Sequence, residues 1–284
     1  YKTEFYFHEA RKSGGVIHAP CINRSTYLTT LYGNDIYIGF IHLRSLETNL
    51  AKRIVAIREA DGPYKSLDNF LRRVDCGLEQ VRILIRIGAF RFCGKSKQRL
   101  LWEAMLWFSN RKARMPHTSE LFDTEPQEYP LPDLQRNPMD DAFDEIELLG
   151  FPLCDPFLLA STSDFGNTTA RKLGKRNGKQ VEILGYLVTT KDTGTKDGHP
   201  MQFGTFYDRN GDVFDTVHFP DVARKSPFRG RGFYYLKGKV TEDFGVFAIE
   251  VSSMEKVPFV DRRMENLEMQ MQSQMQMQKA VPKS

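Results

Sequence analysis

Residues 62–90 read GPYKSLDNFLRRVDCGLEQVRILIRIGAF. Asp61-Gly62-Pro63 stops any preceding helix, since proline has no N–H to continue one. Ser66 offers a side-chain oxygen to the open N–H groups of a new helix, and Asp68 suits the positive end of its dipole. Leu67, Phe70, Leu71 and Val74 then recur at helical spacing. A further helix runs from about Leu78 to Ile87 and stops at Gly88. Upstream, a helix is expected from Thr48 to Glu59, with Leu50, Ile54 and Ile57 on one face and Lys52, Arg53 and Arg58 elsewhere. Downstream, one from Ser96 to Phe108 carries Leu100, Leu101, Met105 and Trp107. The four pair as 48–59 with 66–74 and 78–87 with 96–108, two helix–turn–helix units in tandem. A plain helical bundle is the alternative.

Farther out the texture changes. Residues 1–12 end a helix, Ser13-Gly14-Gly15 breaks it, and Val16–Pro20 and Ile36–Phe40 read as short extended runs. From Met115 to about Asp164, prolines at 116, 126, 130, 132, 138, 152 and 156 describe a linker, with one short helix near Asp140–Leu149. From Gln180 to Val257 five strands are expected, at 181–188, 201–207, 213–219, 232–240 and 247–251. Asp208-Arg209-Asn210-Gly211 is a hairpin turn signal. Five short strands with Gly at bends fit a closed barrel of the OB type, with a small open sandwich as the alternative. The fold class is thus α+β multidomain. Residues 261–284 form a Met/Gln-rich tail, read as disordered or weakly helical.

The chain has 284 residues, enough for about two domains. Its 40% hydrophobic and 27% charged residues exclude wholesale disorder. No apolar run nears the roughly 20 residues that span a bilayer, so no membrane partner is expected. Cys21, Cys76, Cys93 and Cys154 include no CxxC spacing, which favours a reduced, cytoplasmic compartment over a disulfide framework. The chain opens on Tyr1 without a signal peptide and reads as a piece of something larger. The net charge of +4 divides unevenly: 20 Lys/Arg against 10 Asp/Glu over 1–115, 1 against 12 over 116–165, and 15 against 11 over 166–260. Basic blocks of this kind suit a polyanion, and solvated helix faces are the bland alternative. The acidic stretch either competes with DNA for the basic block or keeps the chain soluble.

Helix-hairpin-helix units present backbone N–H groups at a helix start to DNA phosphate, aided by nearby cations. Arg44-Ser45-Leu46-Glu47 lacks both hairpin glycines and adds the charge of Glu47, leaving Arg44, Ser45, Lys52 and Arg53 as contacts. The second hairpin, with Gly88 and Gly94 followed by Lys95, Lys97 and Arg99, is the better equipped. In the β region Lys191, Lys196, Phe203, Tyr207, Arg209, Phe228, Arg229, Arg231 and Phe233 interleave cations with aromatics, the mixture that binds single strands by stacking and phosphate pairing. By alternation about half of those aromatics belong to the core. In the linker, Leu121-Phe122 suits a partner's hydrophobic pocket. No Walker loop, G-x-S-x-G or H-E-x-x-H is present, and no catalytic residue, metal site or cofactor is assigned.

Several runs together resemble the bacterial DNA polymerase III alpha subunits, the C-family replicative polymerases. They are Tyr6–Arg11 with Pro20–Ser25, Gly62–Phe70, Ile87–Phe90, Glu147–Leu153 and Phe214–Pro220, in the family's order. The resemblance implies the end of a fingers region over 1–35 and a tandem helix-hairpin-helix domain over 36–114. An acidic linker with a clamp-binding peptide covers 115–165, an OB domain 166–260 and the tail 261–284. It implies a parent DNA-directed polymerase whose Mg2+-binding aspartates lie in a palm outside this piece, so that the piece itself is non-catalytic. Implied partners are duplex DNA, single-stranded DNA, other replicase subunits and the sliding clamp through 118–122, where Thr118 stands for the usual Gln before Leu121 and Phe122. The rivals are a free-standing single-strand-binding OB protein and a protein-interaction scaffold.

Overall fold

The structure is a computed structural model and describes residues 3–113, 138–160, 166, 168–194, 198–243 and 245–260. Its elements, in chain order, are α1 (Thr3–Lys12), β1 (Val16–His18), β2 (Thr30–Tyr32), β3 (Asp35–Tyr37), α2 (Thr48–Asp61), α3 (Leu67–Arg73), α4 (Leu78–Arg86), α5 (Lys97–Ala113), α6 (Pro138–Leu148), β4 (Gln180–Gly194), β5 (Pro200–Tyr207), β6 (Val213–His218), α7 (Pro220–Lys225), β7 (Phe233–Asp243) and β8 (Val246–Val257). The chain divides into two compact units, Glu9–Leu153 and Tyr1–His8 with Cys154–Ser284.

In the helical unit the expected capping is in place: Ser66 Oγ accepts Asn69 N–H at the start of α3. The buried face is the one the periodicity gives, with Leu50 and Ile54 of α2, Leu67 and Phe70 of α3, and Val81, Leu84 and Ile85 of α4 all at most 2% exposed. Phe70 packs edge-on against Tyr64 and Phe90, at 5.1 and 5.2 Å between ring centres. Tyr64 is buried as well. Its hydroxyl donates to Ile54 O, the Arg73 guanidinium covers its ring, and Asn23 brackets its backbone with two hydrogen bonds. Burial pushes the Tyr64 hydroxyl up to about 12. Strands β1 and β2 flank β3, parallel and antiparallel respectively; the sequence shows β1 and β3 but not β2.

The short acidic helix, expected inside a linker, packs instead in the helical unit. Asp144 accepts from Arg86 Nε and Lys97 Nζ, both at 2.8 Å, and Glu147 takes the other end of Arg86. Arg44 N–H donates to Leu148 O. Met139, Ala142, Leu148 and Leu149 are buried in this docking and the opposite charges of α6 and the α4–α5 surface fix its register; the partners lie too far apart in sequence for local patterning to reveal it.

In the second unit five strands close a barrel in the order β4-β5-β6-β8-β7, with β7 returning to β4. Of the barrel's pairs, only β6–β8 is parallel. This strand order, with α7 between the third and fourth strands, is the Greek-key arrangement of the OB-fold, and it rules out the open sandwich. Phe214, Thr216 and His218 of β6 point inward with Phe206, Tyr234, Leu236, Val240, Ile249 and Val251. Opposite Lys237 and Gly238 of β7, β8 carries the extra residue Ser252, a bulge that bends β8; a Cβ on Gly238 would sit 2.2 Å from Glu250 O, so only glycine lets the strands close there.

Candidate nucleic-acid interface

The first hairpin joins the Phe40–His42 turn to α2. Ser45, at φ +62°, is the one non-glycine residue with positive φ among the described residues. The backbone therefore adopts there the left-handed conformation that glycine usually provides. Gln80 of α4 holds this shape, its amide donating to Ser45 O at 3.0 Å and accepting Glu47 N–H at 2.9 Å. No side chain caps the start of α2. Arg44, Lys52 and Arg53 are exposed around it. Arg44 reaches Glu147 O, Arg53 donates to Asp75 O, and Lys52 lies over the Tyr27 ring. Carbonyl oxygens and a ring face leave the positive charge of all three uncancelled.

The second hairpin is differently wired. Gly88 and Gly94 are left-handed as expected, at φ +78° and +66°. Its cations, however, are matched by carboxylates. Lys95 and Arg99 share Glu103, at 2.7 and 3.2 Å. Lys97 is 19% exposed and sits 2.6 Å from Asp141 and 2.8 Å from Asp144. The expectation that the second hairpin is the better equipped is thus qualified by its wiring: Lys95, Lys97 and Arg99 are each matched by a carboxylate, whereas Arg44, Lys52 and Arg53 of the first hairpin are not. Of the three, Lys97 is the most enclosed, while the exposed pairs of Lys95 and Arg99 are each worth about 0–1 kcal/mol.

On the barrel, Tyr207 and Phe233 are 3% and 0% exposed, which removes both as stacking platforms. Each faces outward from its strand but is covered by a second layer. His8 and Phe5 stack on Tyr207 at 3.9 and 6.5 Å, and Phe157, Tyr186 and Phe259 enclose Phe233. Phe228 packs on the core beside Phe206, His218 and Tyr234. Arg231 pairs with buried Glu4 at 3.0 Å, and Arg209 donates to Gly166 O. Lys191, Phe203 and Arg229 remain outside. Lys191 and Phe203 are cross-strand partners, Phe203 in turn faces Val217, and all three belong to one row across β4, β5 and β6. Phe203 is 38% exposed. Lys196, Thr118, Leu121 and Phe122 lie outside the described residues.

Sequence reasoning missed the outer cluster of Glu182, Tyr235 and Lys237. Glu182 accepts from the Tyr235 hydroxyl and from Lys237 Nζ, and these bonds hold its carboxyl below the usual range and raise the Lys237 ammonium. Cross-strand pairing of β4 with β7 creates it, which only the closed barrel reveals. Among the described residues no group of His, Cys, Asp or Glu that could hold a metal ion occurs, and no helix is long and apolar enough to cross a membrane.

A family model described as a helix-hairpin-helix motif matches residues 14–100. The chain is 33% identical over 118 residues to the error-prone DNA polymerase of Mycobacterium tuberculosis strain H37Rv, covering 41% of this chain and 11% of that protein. It is 29% identical over 236 residues to the DNA polymerase III subunit alpha of Treponema pallidum strain Nichols, covering 77% of this chain and 20% of that protein. The chain thus spans at most about a fifth of these relatives. Among solved structures, the single-stranded DNA binding protein of Thermus aquaticus is matched over 27% of this chain and 39% of its own, at 15% identity and a TM-score of 0.25.

Proposed function

We propose that this chain, homologous to a segment of the bacterial DNA polymerase III alpha subunits and error-prone DNA polymerases, is the DNA-gripping and clamp-tethering part of such a polymerase. The observation that carries this is the first hairpin. Within the matched helix-hairpin-helix segment, Ser45 is left-handed, the start of α2 is uncapped, and Arg44, Lys52 and Arg53 keep their charge. A phosphate there meets backbone N–H groups, the helix dipole and side-chain cations together. The Lys191–Phe203 row offers the single strand a phosphate partner and a stacking face in adjacent positions. We assign nucleotidyl transfer, with its Mg2+, to parts of the parent polymerase beyond the matched segment. Residues 118–122 are assigned to the sliding clamp, with Leu121 and Phe122 as the inserted pair.

The test is fluorescence anisotropy with labelled duplex, single-stranded and primed DNA at two salt concentrations. Phosphate contacts give a log–log slope of about −0.9 per neutralised phosphate on duplex and about −0.7 on a single strand. Binding that ignores salt on all three substrates sinks the DNA assignment and leaves the scaffold alternative. Separately, Leu121→Ala with Phe122→Ala should abolish clamp binding and spare DNA binding; clamp binding that survives removes the linker assignment.

A further inference from the structure

The helical unit holds a cavity of about 570 Å³, lined in part by His18, Cys21, Arg24, Tyr37, Arg91 and Phe92. Gly88 of the second hairpin also lines it, and Arg91 and Phe92 lie within that hairpin, whereas His18, Cys21, Arg24 and Tyr37 come from outside it. Among the described residues, no carboxylate lines the cavity. Its chemistry is uneven in an informative way. Arg24 is exposed, and its guanidinium pairs with no acid among the described residues. The Arg91 guanidinium lies close over Gly88, where a Cβ would sit 2.8 Å from its central carbon. It forms a long ion pair with Glu145 at 3.9 Å, beyond hydrogen-bond reach, and burial pushes that carboxyl up. Phe92 is 40% exposed although aromatic, with its ring tilted 34° against Phe90. On another wall His18 stacks on Tyr37 at 4.6 Å and is itself held by Asp35 at 2.7 Å.

Two guanidiniums suit the planar, bidentate capture of a phosphate, and an open aromatic face suits a base. The volume falls in the roughly 300–1,000 Å³ range of small-molecule sites. We infer that this cavity is a nucleotide-binding site, with Arg24 and Arg91 on the phosphate and Phe92 under the base, which rests on the assignment of the chain as a DNA binder. The nucleotide is either one residue of an unpaired strand or a free nucleoside triphosphate; the recognition chemistry is the same.

Cys21, a free half-buried thiol in the cavity wall, reports occupancy without any mutation. The full chain is alkylated with iodoacetamide and followed by mass spectrometry, with no ligand, with (dT)8 and with dTTP. Cys76 and Cys154, which do not line the cavity, serve as internal references. Occupancy slows alkylation of Cys21 several-fold and leaves the references unchanged. Protection by (dT)8 alone identifies a strand nucleotide; protection by dTTP as well shows that a free nucleotide suffices. The R24Q/R91Q double variant removes the protection and weakens (dT)8 about tenfold, the loss of a charge-assisted hydrogen bond. Its salt slope flattens by about 0.7 per lost phosphate contact. Should Cys21 react too slowly to follow, that affinity change decides alone. Unchanged Cys21 reactivity while anisotropy shows (dT)8 bound overturns the cavity assignment and leaves DNA binding standing. Absence of (dT)8 binding altogether, with no dTTP protection, overturns both.

Discussion

Lys97 Nζ lies 2.8 Å from Asp144 Oδ2, with the two side chains 19% and 17% exposed. A cation that the sequence offers to DNA is therefore spent inside the helical unit, joining α5 to α6. Removing one partner of a buried pair costs about 3–5 kcal/mol, and of an exposed pair about 0–1. For this partly enclosed ammonium, which Asp141 also contacts, Lys97→Ala is expected to cost about 2 kcal/mol in urea unfolding, with duplex affinity kept within about twofold. A variant as stable as the parent but unable to bind duplex would reverse the assignment.

Ser45 carries its left-handed backbone at a steric cost that glycine avoids. Ser45→Gly is expected to raise stability by up to about 1 kcal/mol, because the strain relieved outweighs the entropy added to the unfolded chain. Ser45→Val should lower it by a similar amount or more, since a β-branched side chain tolerates positive φ least. Thermal unfolding separates the two, and a destabilised glycine variant would contradict the strain at this position. On the proposed function, the valine variant also weakens duplex binding.

His218 is fully buried at the end of β6, with Nε2 2.9 Å from Thr216 Oγ1 and Phe228 against its ring. Its Nδ1 is buried without a hydrogen-bond partner. Burial lowers its pKa from 6.5 to about 4. An unfolded imidazole takes up its proton near 6.5 and the folded one only near 4, so between these values the unfolded state binds more protons. Stability from this group is complete above pH 6.5, falls as pH drops through that window, and is lost by about pH 4. The loss is about 3 kcal/mol, because folded and unfolded pKa values one pH unit apart correspond to about 1.36 kcal/mol. Denaturant midpoints from about pH 7 to about pH 4 should therefore slope more gently in His218→Gln than in the parent, and equal slopes would show that other groups carry the acid sensitivity.

What the sequence made legible was local. The Ser66 cap, the strand expected over 213–219, and the turn at Asp208, whose carboxylate accepts from Asn210 and Asp212 N–H, all follow from neighbours a few residues apart. What stayed hidden depended on distant partners. Alternation assigns Tyr207 and Phe233 to the outer face, and they do leave their strands that way. It carries no information about Phe5, His8, Phe157 and Phe259, which arrive from elsewhere in the chain to cover them. The Lys97 side chain misleads for the same reason, since its partner Asp144 sits on a helix 47 positions away.

The same contrast yields a test of the barrel. Phe203 stands 38% exposed in register with Lys191, whereas Phe233 is fully enclosed beneath Phe157 and Phe259. Truncating a buried phenylalanine to alanine removes transfer energy and leaves a cavity, at about 3–5 kcal/mol. Truncating an exposed one that stacks on a base removes about 1–3 kcal/mol of binding and little stability. Phe203→Ala is thus expected to melt within a degree or two of the parent and to bind oligo(dT) at least about fivefold more weakly. Phe233→Ala should lose much of its cooperative unfolding transition. Were Phe203→Ala to bind single strands as the parent does, the Lys191–Phe203 row would not be the strand's path. The single-strand contact would then have to be sought at Arg229, the other exposed member of the barrel set among the described residues.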